Sequence, residues 1–255
     1  MRHLVALAGV IALSSAAVAD DQRYTLADLK ALVSQRSYGE AVQHLSDIAP
    51  RERNADWLAV AVDAASGYVG LPGEPAAKIF EIEDLDTRYP QLLTSPKYTK
   101  VRAEVGLRGY EACFARRVSL DTCIERATRF LDADASNTEL AFGLAKALRR
   151  NSNPYVSVPF FKRAVAGSAT SPMCKDDALR SAVLAGLGLP KDQDLASDAR
   201  AIASGPCFDP LKPEILKGLD AEVPGGPLHV NTCEFMKAKR ALDASQLRSC
   251  DKKKS

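Results

Sequence analysis

The chain has 255 residues, 46% of them hydrophobic and 26% charged, with 34 Lys and Arg against 32 Asp and Glu. A balance this close to neutral gives no bulk electrostatic support for binding nucleic acid or a membrane surface. The hydrophobic content suffices for one or two buried cores, and past the first 19 residues no run approaches the roughly 20 apolar positions of a membrane span.

Met1-Arg2-His3 is a basic start, Leu4 to Leu13 an apolar run, and Ala17-Val18-Ala19 a small-x-small cleavage site. This pattern predicts a secretory signal peptide cut after Ala19, leaving 236 residues with 33 basic and 32 acidic side chains. Export places the chain in the periplasm or outside the cell, and the short signal with abundant alanine points to a bacterial source.

Period-two alternation of β-branched residues is nearly absent, so helices are expected throughout. The first runs from Leu26 to Gln35 under a Thr25 cap, the second from Tyr38 to Ile48 behind a Ser37/Glu40 capping box. Asn54 opens a third that buries Trp57, Val60, Ala61, Ala64 and Tyr68. After a VGLPGEP break, Pro75 opens a fourth to Arg88. The helix from Pro96 to about Ala115 carries two apolar stripes, Tyr98-Val101-Val105-Gly109-Ala112 and Leu107-Tyr110-Phe114. A helix apolar on two sides is sandwiched between neighbours. Its partner starts at Ser119.

Ser136 to Ala166 states the plan in one stretch. Ser136 and Glu139 form a capping box, Leu140, Leu144, Ala147 and Leu148 make one stripe, and Asn151-Ser152-Asn153 turns the chain. Pro154 opens the return helix, unless Pro159 marks its first turn with Ser157 as cap. Helices from Pro172 to Leu187, Asp192 to Ala203 and Leu211 to Leu219 follow. VPGGP (Val223–Pro227) reads as a linker before a last hairpin, capped by Asn231 and Glu234 and ending at Cys250.

In the central hairpin Leu144-Ala145, Leu148, Ser157, Phe161 and Ala164 resemble the signature of tetratricopeptide-type repeats, and Tyr38, Ala41, Leu45 and Ile48 resemble its second helix. The resemblance implies stacked helical hairpins. First helices of successive pairs start near 25, 54, 95, 136 and 171, which holds no single period. The expected fold is therefore all-α: an irregular, tetratricopeptide-like hairpin array with disulfides. Its divisions are a signal peptide over 1–19, an array over 20–222, and a linker with a small hairpin and basic tail over 223–255.

Six cysteines in an exported chain are expected to pair. In an antiparallel helix pair, the end of the first helix lies beside the start of the second. Sequential pairing, Cys113–Cys123, Cys174–Cys207 and Cys233–Cys250, staples three successive hairpins without distortion. There is no C-x-x-C, which argues against redox chemistry, c-type haem and thiolate zinc.

Catalytic motifs are equally absent: no H-E-x-x-H, G-x-S-x-G or G-x-x-x-x-G-K-[ST] occurs, and only His44 and His229 remain after cleavage. His44 reads as a boundary residue, and His229 falls in the linker region. Asp132, Asp134 and Ser136 imitate an EF-hand opening but lack its glycine and its bidentate Glu. Glu81, Glu83, Asp84 and Asp86 crowd a helix C-terminus, where carboxylates oppose the dipole; they form either a solvated face or a weak cation or partner site. Phe142, Lys146 and Arg149 share a helix face opposite the leucine stripe. Either Phe142 tucks against a neighbour beside two solvating cations, or the three form a contact for an acidic or C-terminal peptide.

The sequence thus predicts an exported, non-catalytic interaction protein with a protein or peptide partner, no nucleic acid, no cofactor, no metal and no transmembrane segment. The alternatives are an envelope hydrolase using isolated carboxylates and a carrier with an apolar cavity for a small ligand or lipid.

Overall fold

Apolar residues recurring every three or four positions fold here into helices alone. In the computed structural model, residues 23–116, 119–166, 172–190, 193–205, 207–222 and 226–251 are described, and no strand occurs among them. The expected signal peptide, residues 223–225 of the expected linker and Lys252–Lys254 lie outside the described residues. In chain order the helices are α1 (Leu26–Ser34), α2 (Tyr38–Gln43), α3 (Ala55–Gly70), α4 (Pro75–Arg88), α5 (Pro96–Ala115), α6 (Leu120–Asp132) and α7 (Thr138–Asn151). Then come α8 (Val158–Val165), α9 (Asp177–Leu187), α10 (Asp194–Ser204), α11 (Phe208–Ala221), α12 (Pro227–Ala238) and α13 (Ala244–Asp251). No described helix is long and apolar enough to cross a membrane.

Several starts follow the expected chemistry. Thr25 and Asp28 form a reciprocal capping box on α1, and Asn54 accepts from the Trp57 N–H at 3.0 Å on α3. Other starts differ. Asn137, not Ser136, caps α7, accepting from the Leu140 N–H at 2.9 Å. Ser37 makes no side-chain cap, and the Glu40 carboxylate that would complete the box accepts instead from the Tyr24 hydroxyl at 2.9 Å. Pro159 lies in the first turn of α8, preceded by a 3-10 turn at Pro154–Ser157. The helix read as Leu211–Leu219 spans Phe208–Ala221 with Pro213 inside it. Asn231 caps nothing: Pro227 opens α12 a full turn earlier, and the Asn231 side chain donates to the carbonyls of Gly188 and Leu189 at 2.9 and 3.2 Å. That pair of bonds docks the last hairpin on α9.

The sandwiched helix is α5, and α3, α4, α6 and α7 all pack on it. Two glycines allow the approach. A Cβ on Gly106 would sit 2.2 Å from the Phe130 ring of α6, and one on Gly109 would sit 2.7 Å from the Pro75 carbonyl of α4. Further along, α8 packs between α7 and α10, α9 against α10, and α11 and α12 close against α9. A single apolar core runs from Leu29 to Met236 through these contacts. Cys113 joins Cys123 across the α5–α6 turn, Cys174 joins Cys207 around α9 and α10, and Cys233 joins Cys250 between α12 and α13. These are the pairs that antiparallel hairpin geometry favours, with Cα–Cα distances of 5.2 to 6.0 Å.

Candidate binding groove between the fourth and sixth helices

On α4, Ile79, Ile82 and Leu85 face the core, which turns Phe80, Glu83 and Thr87 to the next stripe round the helix. On α6, burial of Ala127, Phe130 and Leu131 leaves Arg126 and Arg129 on the corresponding edge. The two helices run in the same direction on one side of α5. Arg126 meets Glu83 through Nη2 at 2.6 Å and Nε at 3.1 Å, and its guanidinium lies 4.0 Å from the Phe80 ring centre. One turn on, Arg102 of α5 bridges the pair: Nε donates to Asp86 at 2.7 Å and Nη2 to the Phe130 carbonyl at 3.0 Å. Its guanidinium is 3.7 Å from the Phe130 ring centre.

Arg102 is 0% exposed and forms the floor of this groove. Its third nitrogen, Nη1, is buried without a hydrogen-bond partner. A cavity of about 230 Å³ lies there, lined by Arg102 with Glu83, Asp86, Thr87, Arg129 and Phe130. At the lip, Arg129 is held only from outside, by Glu125 at 2.7 Å. Two phenols complete the network: Tyr98 donates to Asp86 at 2.8 Å and Tyr110 to Glu83 at 2.9 Å. Burial, and then the adjoining carboxylate, pushes both hydroxyls well above the ordinary phenol value, so they remain donors.

The acidic run on α4 is thus neither a bare solvated face nor a cation site. Lys78 holds Glu81, Arg126 holds Glu83, Arg88 holds Asp84 and Arg102 holds Asp86. Among the described residues no group of three or more His, Cys, Asp or Glu is placed to hold a metal ion. His44 sits at the end of α2, stacked on Tyr24 and 3.0 Å from Asp47. His229 is not in a linker: it is buried within α12 beside the Cys233 sulfur at 3.7 Å.

Phe142, Lys146 and Arg149 do share a face of α7, and it is turned toward α8 and the start of α9. Phe142 meets Phe161 edge-on at 5.7 Å between ring centres. Lys146 donates to Asp176 at 2.9 Å and Arg149 to Ser181 at 3.1 Å. Burial raises the Asp176 carboxyl, but hydrogen bonds from Lys146 and the Ala178 N–H outweigh it and hold the group below the usual carboxylate range. These three side chains carry contacts within the chain.

Two other clefts are larger. One of about 420 Å³ lies between α1 and α2 around Tyr24 and Gln35, and one of about 580 Å³ between α5 and α7 around Lys100 and Leu140. Neither is lined by an unpartnered buried polar atom. Arg200 of α10 has both Nη atoms buried and unpartnered, yet lines none of the three clefts. Of these three clefts, only the one beside Arg102 is lined by a residue with an orphan buried donor, and Phe80 stands on the same helix as the Glu83 and Asp86 of its wall. Phe80 is 61% exposed, although rings of this size usually bury most of their surface. Comparison with known protein families, with curated proteins and with solved structures finds no match.

Proposed function

We propose that this protein is an exported, non-catalytic interaction module, an irregular tetratricopeptide-like array whose α4–α6 groove receives a peptide segment of a protein partner in the bacterial envelope or outside the cell. The observation that carries this reading is Phe80, left exposed over the Arg126 guanidinium at the mouth of the groove. Aromatic rings and arginines are the side chains that most often anchor protein partners. Parallel helices flanking a groove are how helical arrays present extended surfaces. Three disulfides, with no membrane-crossing helix among the described residues, are compatible with an exported chain.

The hydrolase reading requires two carboxylates facing a substrate. Glu83 and Asp86 are each engaged by a guanidinium and a phenol instead. The carrier reading requires an apolar cavity of several hundred Å³, and this one, of about 230 Å³, has four charged residues among the seven that line it.

The test places a benzophenone amino acid at position 80 of the disulfide-intact protein in its native envelope. A control carries it at position 56, where the side chain of Asp56 is 73% exposed. A defined crosslinked partner from position 80 alone is expected, and Phe80→Asp in the chain without a crosslinker should abolish binding of the partner so identified, with Tm unchanged. Equal capture from both positions, or none, overturns the reading.

A further inference from the structure

Resting on that reading of the groove, we infer that the cavity beneath it takes a single carboxylate, with Arg102 Nη1 as the donor at its floor and Arg129 as the second cation at its lip.

The need for an acceptor comes from Arg102 itself. Its Nε and Nη2 are satisfied by Asp86 and the Phe130 carbonyl, while Nη1 is buried with nothing to donate to. An orphaned buried N–H of a charged group is costly, and a group that accepts from it recovers that cost on binding. The acceptor must enter from the cavity, because Phe130 covers the guanidinium face at 3.7 Å.

Charge then selects the acceptor. Arg102 and Arg129 stand against Glu83 and Asp86 in the lining of the cavity, a balanced set in which Arg102 holds Asp86 and Arg126, from outside the lining, holds Glu83. A monoanion adds a single negative charge beside the two guanidiniums. A phosphate dianion adds two and is pressed against two carboxylates that already line the wall. Glu125, which holds Arg129 from outside, forms a pair two-thirds exposed on both sides, so Arg129 leaves it at little cost. Planar carboxylate suits guanidinium nitrogens in particular.

Spacing gives the context of that carboxylate. Along α4, Phe80 stands six residues, or roughly 9 Å, before Asp86. Two residues of extended peptide cover about 7 Å of this and place both side chains on one face, and the stem of the second side chain spans the remainder. The fitting segment is therefore an apolar residue, any residue, then an acidic one. A side-chain carboxylate reaches the buried floor on its own stem; a chain terminus or a free small acid offers the same chemistry with less reach.

Calorimetry and the arginine Nε–Hε NMR signals of the full, disulfide-bonded protein test this with five probes. They are acetate, inorganic phosphate, acetyl-Phe-Ala-Glu-Ala-amide, its Gln counterpart, and acetyl-Phe-Ala-Ala with a free C-terminus. The Glu peptide should bind at least tenfold tighter than the Gln peptide, acetate should displace it, and both should shift the Arg102 signal. Tighter binding of the free C-terminal peptide would identify a chain terminus as the source and leave the carboxylate assignment standing. Arg129→Gln, an exposed change that keeps the fold, should weaken the Glu peptide three- to tenfold. Arg102→Lys, judged only if it melts as a folded protein, should erase the Glu-over-Gln preference.

Equal binding of the Glu and Gln peptides overturns the carboxylate site but leaves a peptide groove. A shift by acetate with no peptide binding keeps the carboxylate site and removes the peptide reading. Phosphate outcompeting acetate, or no probe binding at all, overturns the inference outright, the latter meaning that Nη1 is served by water alone.

Discussion

Arg102 shows how a residue's neighbours, not its type, decide its role. It sits beside the Tyr98–Val101–Val105 stripe, where a long cation reads as the solvated edge of a helix. Only the fold reveals Asp86 and the Phe130 carbonyl holding it inside, contacts 16 and 28 residues away in the chain. The acidic run on α4 was visible in the sequence; its cations, drawn from three helices, were not. Tyr98 and Tyr110 read correctly as apolar stripe members, but their hydroxyls carry the second half of the network. Both phenols titrate higher in the folded chain than in the unfolded one. Their stabilisation is whole below about pH 10 and fades as the pH rises past it, by up to about 1.4 kcal/mol per pH unit for each. Urea midpoints between about pH 8 and 11 should therefore fall more steeply for the native chain than for Tyr98→Phe/Tyr110→Phe. The double variant should also start lower, by about 1.5–3 kcal/mol for each lost hydrogen bond to a carboxylate.

Whole helices were easier to read than their ends. Period and proline positions located nearly every one, since amphipathic burial fixes a helix over three or four turns. Caps depend on a single side chain, and a neighbour can claim it, as Tyr24 does with Glu40. The end of α12 was hidden for a related reason. Arg240 occupies the left-handed position after the helix, φ 51°, where glycine is the usual marker. The bonds are those of a Schellman ending: Ala241 N–H to the Met236 carbonyl at 3.1 Å and Arg240 N–H to that of Lys237 at 2.9 Å. An L side chain pays about 1–2 kcal/mol in this conformation, against about 0.5–1 kcal/mol of extra chain freedom for glycine. Arg240→Gly should accordingly stabilise the chain by about 0.5–1 kcal/mol, read as a rise in Tm; a fall would show that the arginine side chain contributes more than its backbone costs.

At the scale of the molecule, the architecture was legible as all-helical and disulfide-braced, but the pairing of α4 with α6 was not. That adjacency depends on how closely two helices approach α5, and Gly106 and Gly109 set the approach without leaving a periodic signal. The cystines close only short stretches, with sequence separations of 10, 33 and 17 residues, and none spans another. Pulled by its two ends, such a chain gives way hairpin by hairpin, yet three small rings never straighten. Together they withhold about 60 residues, or roughly 200 Å of contour length at about 3.5 Å per residue. Single-molecule stretching should show that deficit under oxidising conditions and its full return once a thiol reductant is added. The reach of the chain under load is thus set by the redox state of its surroundings.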